Sequence, residues 1–423
     1  MEDWKRLGVL AVIGPGLLVA ATGVGAGDLA MGAFTGSHLG MAVLWAVAAG
    51  ALIKFVLNEG LARWQLATGQ TVLEGAVLRL GRVVQVVFFA YLVLWSYFVG
   101  SALISACGVA AHALCPVFAD PVHGKVAFGI VHSLVGLVLV LAGGFKLFER
   151  VMSITIVVMF VTVLATAVLL RPDWGQVAAG LCVPRIPKLA GQGLPWTVAL
   201  MGGVGGTLTV LCYGYWIREK GRTDASAVRT CRIDLAVGYA ATALFGIAMV
   251  IIGSTIQVQG KGAGLVVALA DKLAGPLGPV GRWLFLVGAW GAVFSSLLGV
   301  WQAVPYVFAD FWGLRRLRRD GAPEDARVEV DTRSRPYRVY LFLLAFVPML
   351  GLFGGFRQVQ KAYAVFGALF MPLLAVTLLV LNGRSAWIGE KLRNRPLTSA
   401  FLVATVLFFL AAFAFHVRKV CGL

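Results

Sequence analysis

The chain has 423 residues, of which 60% are hydrophobic and only 13% are charged. A soluble domain is about 45–50% apolar and about 25% charged, so the composition excludes a soluble enzyme, a disordered chain and a secreted disulfide scaffold. The net charge of +17 comes from basic residues in short segments between apolar runs. That distribution indicates a membrane-orientation bias rather than nucleic-acid binding. The composition predicts an all-α polytopic membrane protein whose partner is the lipid bilayer, with no nucleic-acid or protein partner implied.

Eleven apolar runs follow one another along the chain, each long enough for one helical crossing at about 20 residues per span. We number them spans 1 to 11, and they cover residues 8–33, 39–62, 83–113, 124–143, 148–170, 194–217, 233–258, 281–312, 337–354, 362–382 and 397–416. The chain enters span 1 without a convincing cleavage site, so no signal peptide is predicted.

The basic residues are divided unequally between the segments that join the spans. If the N-terminus lies inside, 24 of the 36 lysines and arginines fall in inner segments and 11 in outer ones. This excess predicts a multi-pass protein of the plasma (inner) membrane, with its N-terminus in the cytoplasm and its C-terminus outside. The polar stretch 313–337 is predicted to be a cytoplasmic loop and not a domain.

The six cysteines show no CxxC spacing, so the sequence predicts neither a zinc site nor a redox motif. Cys115 and Cys182 fall in two predicted outer loops, where two free thiols are expected rather than a disulfide. No nucleophile–base pair emerges either, so an enzyme is not predicted.

Spans 1 and 6 share a pattern of proline and glycine. Pro15 in span 1 and Pro195 in span 6 are each followed, eight residues later, by Gly-Val-Gly, which begins at residues 23 and 203. Glycine-interrupted helices at matching places in two halves of a chain are typical of inverted-repeat transporters, whose sites lie between the broken helices. The alternative is that these small residues only allow close helix packing.

Several short motifs resemble the Nramp divalent-metal transporters. They are Gly14-Pro15-Gly16, Gly36, Gly40, Ala67-Thr68-Gly69, Arg232-Ile233-Asp234 and Phe294-Ser295-Ser296. The resemblance runs from about residue 10 to residue 380. It implies a LeuT-type architecture of two inverted five-helix repeats with broken helices 1 and 6, plus an eleventh helix. The repeats would cover 1–170 and 194–382, separated by an external loop at 171–193, and 383–423 would hold a cytoplasmic loop and the last helix.

The chain departs from this family where the family binds metal. The family's Asp-Pro-Gly-Asn tetrad falls on residues 25–28, which read Gly-Ala-Gly-Asp, and its Met-Pro-His falls near 206–208, which read Gly-Thr-Leu. The acidic residues of the family's proton route fall near Phe98 and Ser101. Because transition-metal selectivity needs such ligands, these departures count against a manganese or iron site of the usual kind.

The altered breaks favour a small inorganic anion such as bicarbonate, because glycine exposes backbone N–H groups and half-helix N-termini carry partial positive charge. The predicted substrate-binding residues are Gly25, Ala26, Gly27, Asp28, Gly203, Gly205, Gly206, Thr207, Thr209 and Tyr213. A carboxylate at Asp28 repels an anion. It could instead cap the following half-helix or hold a cation. The alternative function is therefore a divalent metal transporter for magnesium or manganese, with or without proton coupling, that uses Asp28 as its metal ligand.

Paired hydroxyls in span 8 predict a site for a coupling ion. Hydroxyl and carbonyl oxygens suit a hard cation such as sodium, and no cofactor is expected beyond that co-transported ion. The predicted coupling-ion residues are Gly23, Ala26, Ser295 and Ser296. The alternative for the serines is helix packing, with each hydroxyl bonded to the preceding turn.

Three further polar residues receive structural interpretations. Lys54 and Glu59 in span 2 are expected to reach the membrane surface or to pair elsewhere. Asp234, at the start of span 7, is expected to cap that helix or to form a salt bridge at a gate.

A non-transporting receptor is a third class of function, which the matched helix breaks disfavour.

Overall fold

A computed structural model of the chain describes residue 25 and residues 27–143, 146–257, 262–321 and 330–420. Sixteen α-helices lie within these residues, and we number them α1 to α16 in chain order. They are Gly32–Leu39, Leu44–Thr68, Val72–Arg79, Arg82–Leu114, Pro121–Ala142, Lys146–Leu169, Trp174–Cys182, Leu194–Gly203, Cys212–Glu219, Val228–Gly253, Leu265–Arg319, Arg335–Phe346, Phe356–Ala368, Phe370–Leu381, Ser385–Ile388 and Pro396–Val420.

The membrane-spanning helices follow the predicted spans. Within the described residues, nine helical stretches are long and apolar enough to cross a membrane, and a tenth results if the bent pair Ile156–Leu169 and Trp174–Cys182 forms one span. These ten stretches coincide with predicted spans 2 to 11. The first of them, Gly27–Thr68, also includes the end of span 1, most of which lies outside the described residues. The prediction of an all-α polytopic fold is confirmed.

The helix of span 8 is longer than predicted. It runs over Leu265–Arg319 and contains a break at Gly278, where φ is 66° and ψ is −169°. The additional N-terminal segment carries charged residues that lower its hydropathy, so the sequence did not distinguish it from a loop. At the other end, the helix continues to Arg319, and the predicted loop at 313–337 therefore begins as helix.

Two short helices also lie in segments expected to be loops. Helix α3 begins with a capping box, in which Thr71 accepts from the backbone N–H of Glu74 and the Glu74 carboxylate accepts from that of Thr71. Helix α7 begins after Asp173, whose carboxylate accepts from two backbone N–H groups. The loop cysteines Cys115 and Cys182 are exposed free thiols in this structure.

Glycines bring the helices around the centre of the bundle into backbone contact. A Cβ built on Gly202 of α8 would overlap the carbonyl oxygen of Ala364 in α13, and one on Gly36 of α1 would overlap that of Val250 in α10. Small residues allow membrane helices to pack this closely. Helix α8 is thereby held against α13 and α2, which fixes the end of α8 at mid-bundle.

Candidate ion-binding site

The helix of span 6 is broken where the sequence predicted. Helix α8 ends at Gly203, and the next helical turn, of 3-10 type, begins at Leu208. Between them Gly205 and Gly206 have φ values of +76° and +78°. Such values are readily adopted only by glycine, so this pair of glycines makes the break possible.

The described part of span 1 meets this break directly. A π-helical turn over Gly27–Met31 precedes α1, and a Cβ on Gly27 would overlap the carbonyl oxygen of Gly203. Gly27 of span 1 and Gly203 of span 6 therefore lie against each other at the backbone level. Gly23 and Ala26, predicted to bind the coupling ion, lie outside the described residues.

Asp28 lies at this junction and is fully buried, with 0% of its surface exposed. Its two carboxylate oxygens accept from the backbone N–H of Gly205 at 3.2 and 3.3 Å. Within the described residues, the hydrogen bonds of the carboxylate thus run to the break in span 6 and not to the N–H groups of α1. The capping interpretation of Asp28 is wrong, because the carboxylate joins the two breaks across 177 residues of sequence.

Lys54 of α2 supplies a positive charge at the same place. Its side chain is 1% exposed, and its ammonium donates to the carbonyl of Gly202 at 2.9 Å and to that of Val204. The ammonium also interacts electrostatically with Asp28. Of the two expectations for Lys54, it does not reach the membrane surface but is bonded elsewhere, because the end of α8 offers carbonyls that lack helical partners.

Three hydroxyl residues were predicted to bind the substrate, and Thr207 is the one that follows the break directly. Its hydroxyl accepts from the indole N–H of Trp95 at 2.8 Å and is hydrogen-bonded to Tyr363. Thr209 is 7% exposed and lies beside Gly206. The hydroxyl of Tyr213 instead donates to Asp234 at 3.0 Å, so the structure does not place it at the break.

Two residues that the sequence analysis missed complete the surroundings. Asn58 of α2 donates to the hydroxyl of Tyr239 in α10, and a Cβ on Gly205 would lie 3.2 Å from the Tyr239 ring. Within the described residues, the buried Oδ1 of Asn58 has no hydrogen-bond partner. The spacing of Lys54 and Asn58, four residues apart in an apolar span, was the available signal, since such residues share one helix face.

The serines of span 8 have separate environments. The hydroxyl of Ser295 donates to the carbonyl of Ala292 in the preceding turn at 3.0 Å. This bond agrees with the alternative that Ser295 only contributes to helix packing. Ser296 lies against the described end of span 1, because a Cβ on Gly25 would overlap its hydroxyl oxygen. The structure therefore brings Gly25 and Ser296 together.

This contact gives a testable prediction. Gly25→Ala is expected to reduce transport strongly, because the added methyl group needs the space that the Ser296 side chain occupies. Adding Ser296→Gly should restore at least part of the lost transport, since it removes the overlapping atoms. Uptake by reconstituted protein measures both variants. A double variant as inactive as Gly25→Ala would contradict the contact.

Ion pairs close the predicted cytoplasmic end of the bundle. Glu59 of α2 pairs with Arg63 and with Arg232 of α10, each at 2.7 Å. Asp234 pairs with Arg222 at 2.9 Å. Of the two interpretations of Asp234, the salt bridge is correct, because α10 begins six residues earlier, at Val228.

The buried pair predicts a loss of stability when it is broken. Asp234→Asn is expected to lower the melting temperature in detergent by roughly 5 °C or more, because breaking a buried ion pair costs about 3–5 kcal/mol. Asp271→Asn is the control, since Asp271 is 60% exposed and pairs with Arg282 at 3.0 Å. Exposed pairs contribute at most about 1 kcal/mol. Equal shifts in the two variants would contradict the assignment.

Aromatic rings close the opposite end. The ring of Phe34 in α1 lies 6.3 Å from that of Trp196 in α8 and 5.9 Å from that of Phe356 in α13. The guanidinium of Arg357 lies over Phe34, 5.5 Å from the ring centroid. Between these two sets of contacts, Asp28 is fully buried.

The groups around Asp28 are hard oxygen and nitrogen donors. Within the described residues there is no group of three or more His, Cys, Asp and Glu side chains that could hold a metal ion. What the junction offers is one carboxylate, backbone carbonyls, an amide oxygen and hydroxyls, balanced by the ammonium of Lys54. A buried ionisable group beside a broken membrane helix is typical of secondary transporters.

Comparison with known proteins identifies the family. The family model described as "Natural resistance-associated macrophage protein-like" (Nramp) matches residues 16–417, and the chain belongs to this family. It is therefore an integral, multi-pass membrane transporter of the Nramp family and not an enzyme. The resemblance noted from the short motifs is confirmed.

Individual relatives are distant. The divalent metal cation transporter MntH of Chromohalobacter salexigens is 25% identical over 350 residues, which are 74% of each chain. A solved variant of the Eremococcus coleocola manganese transporter has a TM-score of 0.72 at 19% identity, covering 97% of this chain and 86% of that one. MhsT in complex with L-phenylalanine has a TM-score of 0.62 at 16% identity, covering 97% and 98%. These structures show the LeuT-type fold.

Proposed function

We propose that this transporter moves a divalent metal cation that prefers hard oxygen ligands, magnesium or manganese, and that Asp28 anchors the ion. The observation that carries the proposal is the complete burial of the Asp28 carboxylate at the junction of the two breaks. An ionisable group at such a depth is costly and is retained for function. A relative named as a divalent metal cation transporter supports the same substrate class.

The donor types support magnesium or manganese over iron. Carboxylate, carbonyl and hydroxyl oxygens suit magnesium and manganese, whereas thiolate, thioether and imidazole groups suit softer ions. Asp28, the amide oxygen of Asn58 and the hydroxyl of Thr207 are all oxygen donors near the break. The stretch 206–208, where the family has Met-Pro-His, reads Gly-Thr-Leu.

A second candidate is a small anion such as bicarbonate, moved with sodium. The observation that favours it is the buried ammonium of Lys54, a charge-assisted donor of the kind that binds oxyanions. Sodium would then bind beside Ser296, next to the described end of span 1. Asp28 weakens this candidate, because its negative charge offsets that of Lys54.

Uptake into proteoliposomes tests the two candidates against each other. We expect saturable uptake of radioactive manganese that magnesium inhibits, with no effect of bicarbonate on manganese uptake and no requirement for sodium. Empty liposomes are the control. Saturable, sodium-dependent uptake of labelled bicarbonate without manganese uptake would overturn the proposal and establish the second candidate.

A further inference from the structure

Lys54 differs from the other fully buried lysine among the described residues in what surrounds it. Its ammonium contacts two carbonyls at the broken end of α8 and interacts with the Asp28 carboxylate. Lys125 is also buried, at 2% exposure, but its ammonium donates to the carbonyl of Gly354 at 2.6 Å, between α5 and α13. Lys54 alone of these two holds the oxygens of the transport site.

Those oxygens need a cation. The last carbonyls of a helix lack helical partners and carry partial negative charge. A buried carboxylate without a partner is costly as well. The ammonium of Lys54 hydrogen-bonds the carbonyls, and its charge offsets that of the carboxylate nearby. A divalent cation would bind the carboxylate and the same carbonyl oxygens, so the ammonium and the metal compete for the carbonyls and for the negative charge of Asp28.

We propose that Lys54 is a tethered substitute for the transported cation, which allows the unloaded carrier to close around Asp28 and return across the membrane. This inference rests on the proposed function, because it assumes that the substrate is a cation. Binding of the metal displaces the ammonium from the shared oxygens. Release of the metal lets the ammonium return to them, so the breaks are never closed around an uncompensated carboxylate.

The two halves of the transport cycle then depend differently on Lys54. Net uptake needs the unloaded carrier to return, whereas exchange of metal for metal across the membrane uses only the loaded carrier. Lys54→Met is therefore expected to reduce net manganese uptake by about tenfold or more, since it removes a charged donor from two buried carbonyls and the charge that offsets Asp28. Exchange of external labelled manganese for internal unlabelled manganese should persist.

The experiment compares wild type, Lys54→Met and Lys125→Met in the same proteoliposomes, with manganese absent from or present in the lumen. Lys125→Met is the matched control, because it removes a buried lysine that bonds a carbonyl away from the junction. It should affect net uptake and exchange in the same proportion. The expected result is that Lys54→Met alone separates the two modes.

Each other outcome decides a different point. Absence of manganese transport by wild type in both modes would overturn the proposed function itself. If wild type is active, an equal loss of both modes in Lys54→Met, or full net uptake by it, would overturn the inference. If Lys54→Met does not yield folded protein, it is combined with Asp28→Asn. Recovery of folded protein by removing both charges supports the pairing, and failure to recover contradicts it.

Discussion

Asp28→Asn is expected to reduce manganese and magnesium uptake by about a hundredfold. The substitution keeps the size of the side chain and an oxygen that can accept from Gly205, so it removes the negative charge and little else. A hydrogen bond or contact to a charged group contributes about 1.5–3 kcal/mol, and the upper value corresponds to roughly a hundredfold in affinity. The charge of Lys54 would then be left to repel the metal.

The measurement is initial uptake as a function of metal concentration, normalised to folded protein. The control is Asp271→Asn, in which the neutralised carboxylate is largely exposed and distant in sequence from both breaks. Uptake by Asp28→Asn at the level of this control would show that the metal is held elsewhere.

Gly27→Ala is expected to abolish transport. The added methyl group would overlap the backbone carbonyl of Gly203, which cannot rotate away as a flexible side chain can. Forcing extra atoms into a packed interior costs about 1–3 kcal/mol or more. Here that cost falls on the contact between the two breaks, so they can no longer close on the ion.

Gly275→Ala provides the matched control, because a Cβ at Gly275 would meet no atom within 4 Å. Both variants are compared for uptake and for monodispersity in detergent. We expect the control to transport normally and Gly27→Ala to remain folded without transport. Normal uptake by Gly27→Ala would contradict the close contact of the breaks.

The break in span 6 could be predicted because its cause is local. Two glycines in succession, eight and more residues after a proline within an apolar run, allow the positive φ values that end α8. The same holds for the apolar runs themselves, whose composition alone determines that they are membrane helices. The additional segment of the span 8 helix escaped prediction because its charged residues resemble those of a loop.

The chemistry of the site was less predictable because its partners are far apart in the sequence. Lys54 bonds carbonyls 148 and 150 residues away, and nothing in span 2 indicates that α8 ends there. Tyr213 was expected at the break because it follows it by one turn, but its hydroxyl is directed to Asp234. Asp28 was singled out from the sequence as an unusual acid. Its hydrogen bond with Gly205 could not be predicted, because it depends on how the helices pack.

The proposal that Asp28 holds the transported metal is tested most directly by binding of radioactive manganese to the purified transporter. Binding is measured by scintillation proximity for wild type and Asp28→Asn. Binding does not depend on coupling or on the return of the carrier, so it isolates the site. We expect saturable binding to wild type that magnesium displaces and that Asp28→Asn lacks. Equal binding by the two proteins, or no saturable binding to wild type, would contradict it.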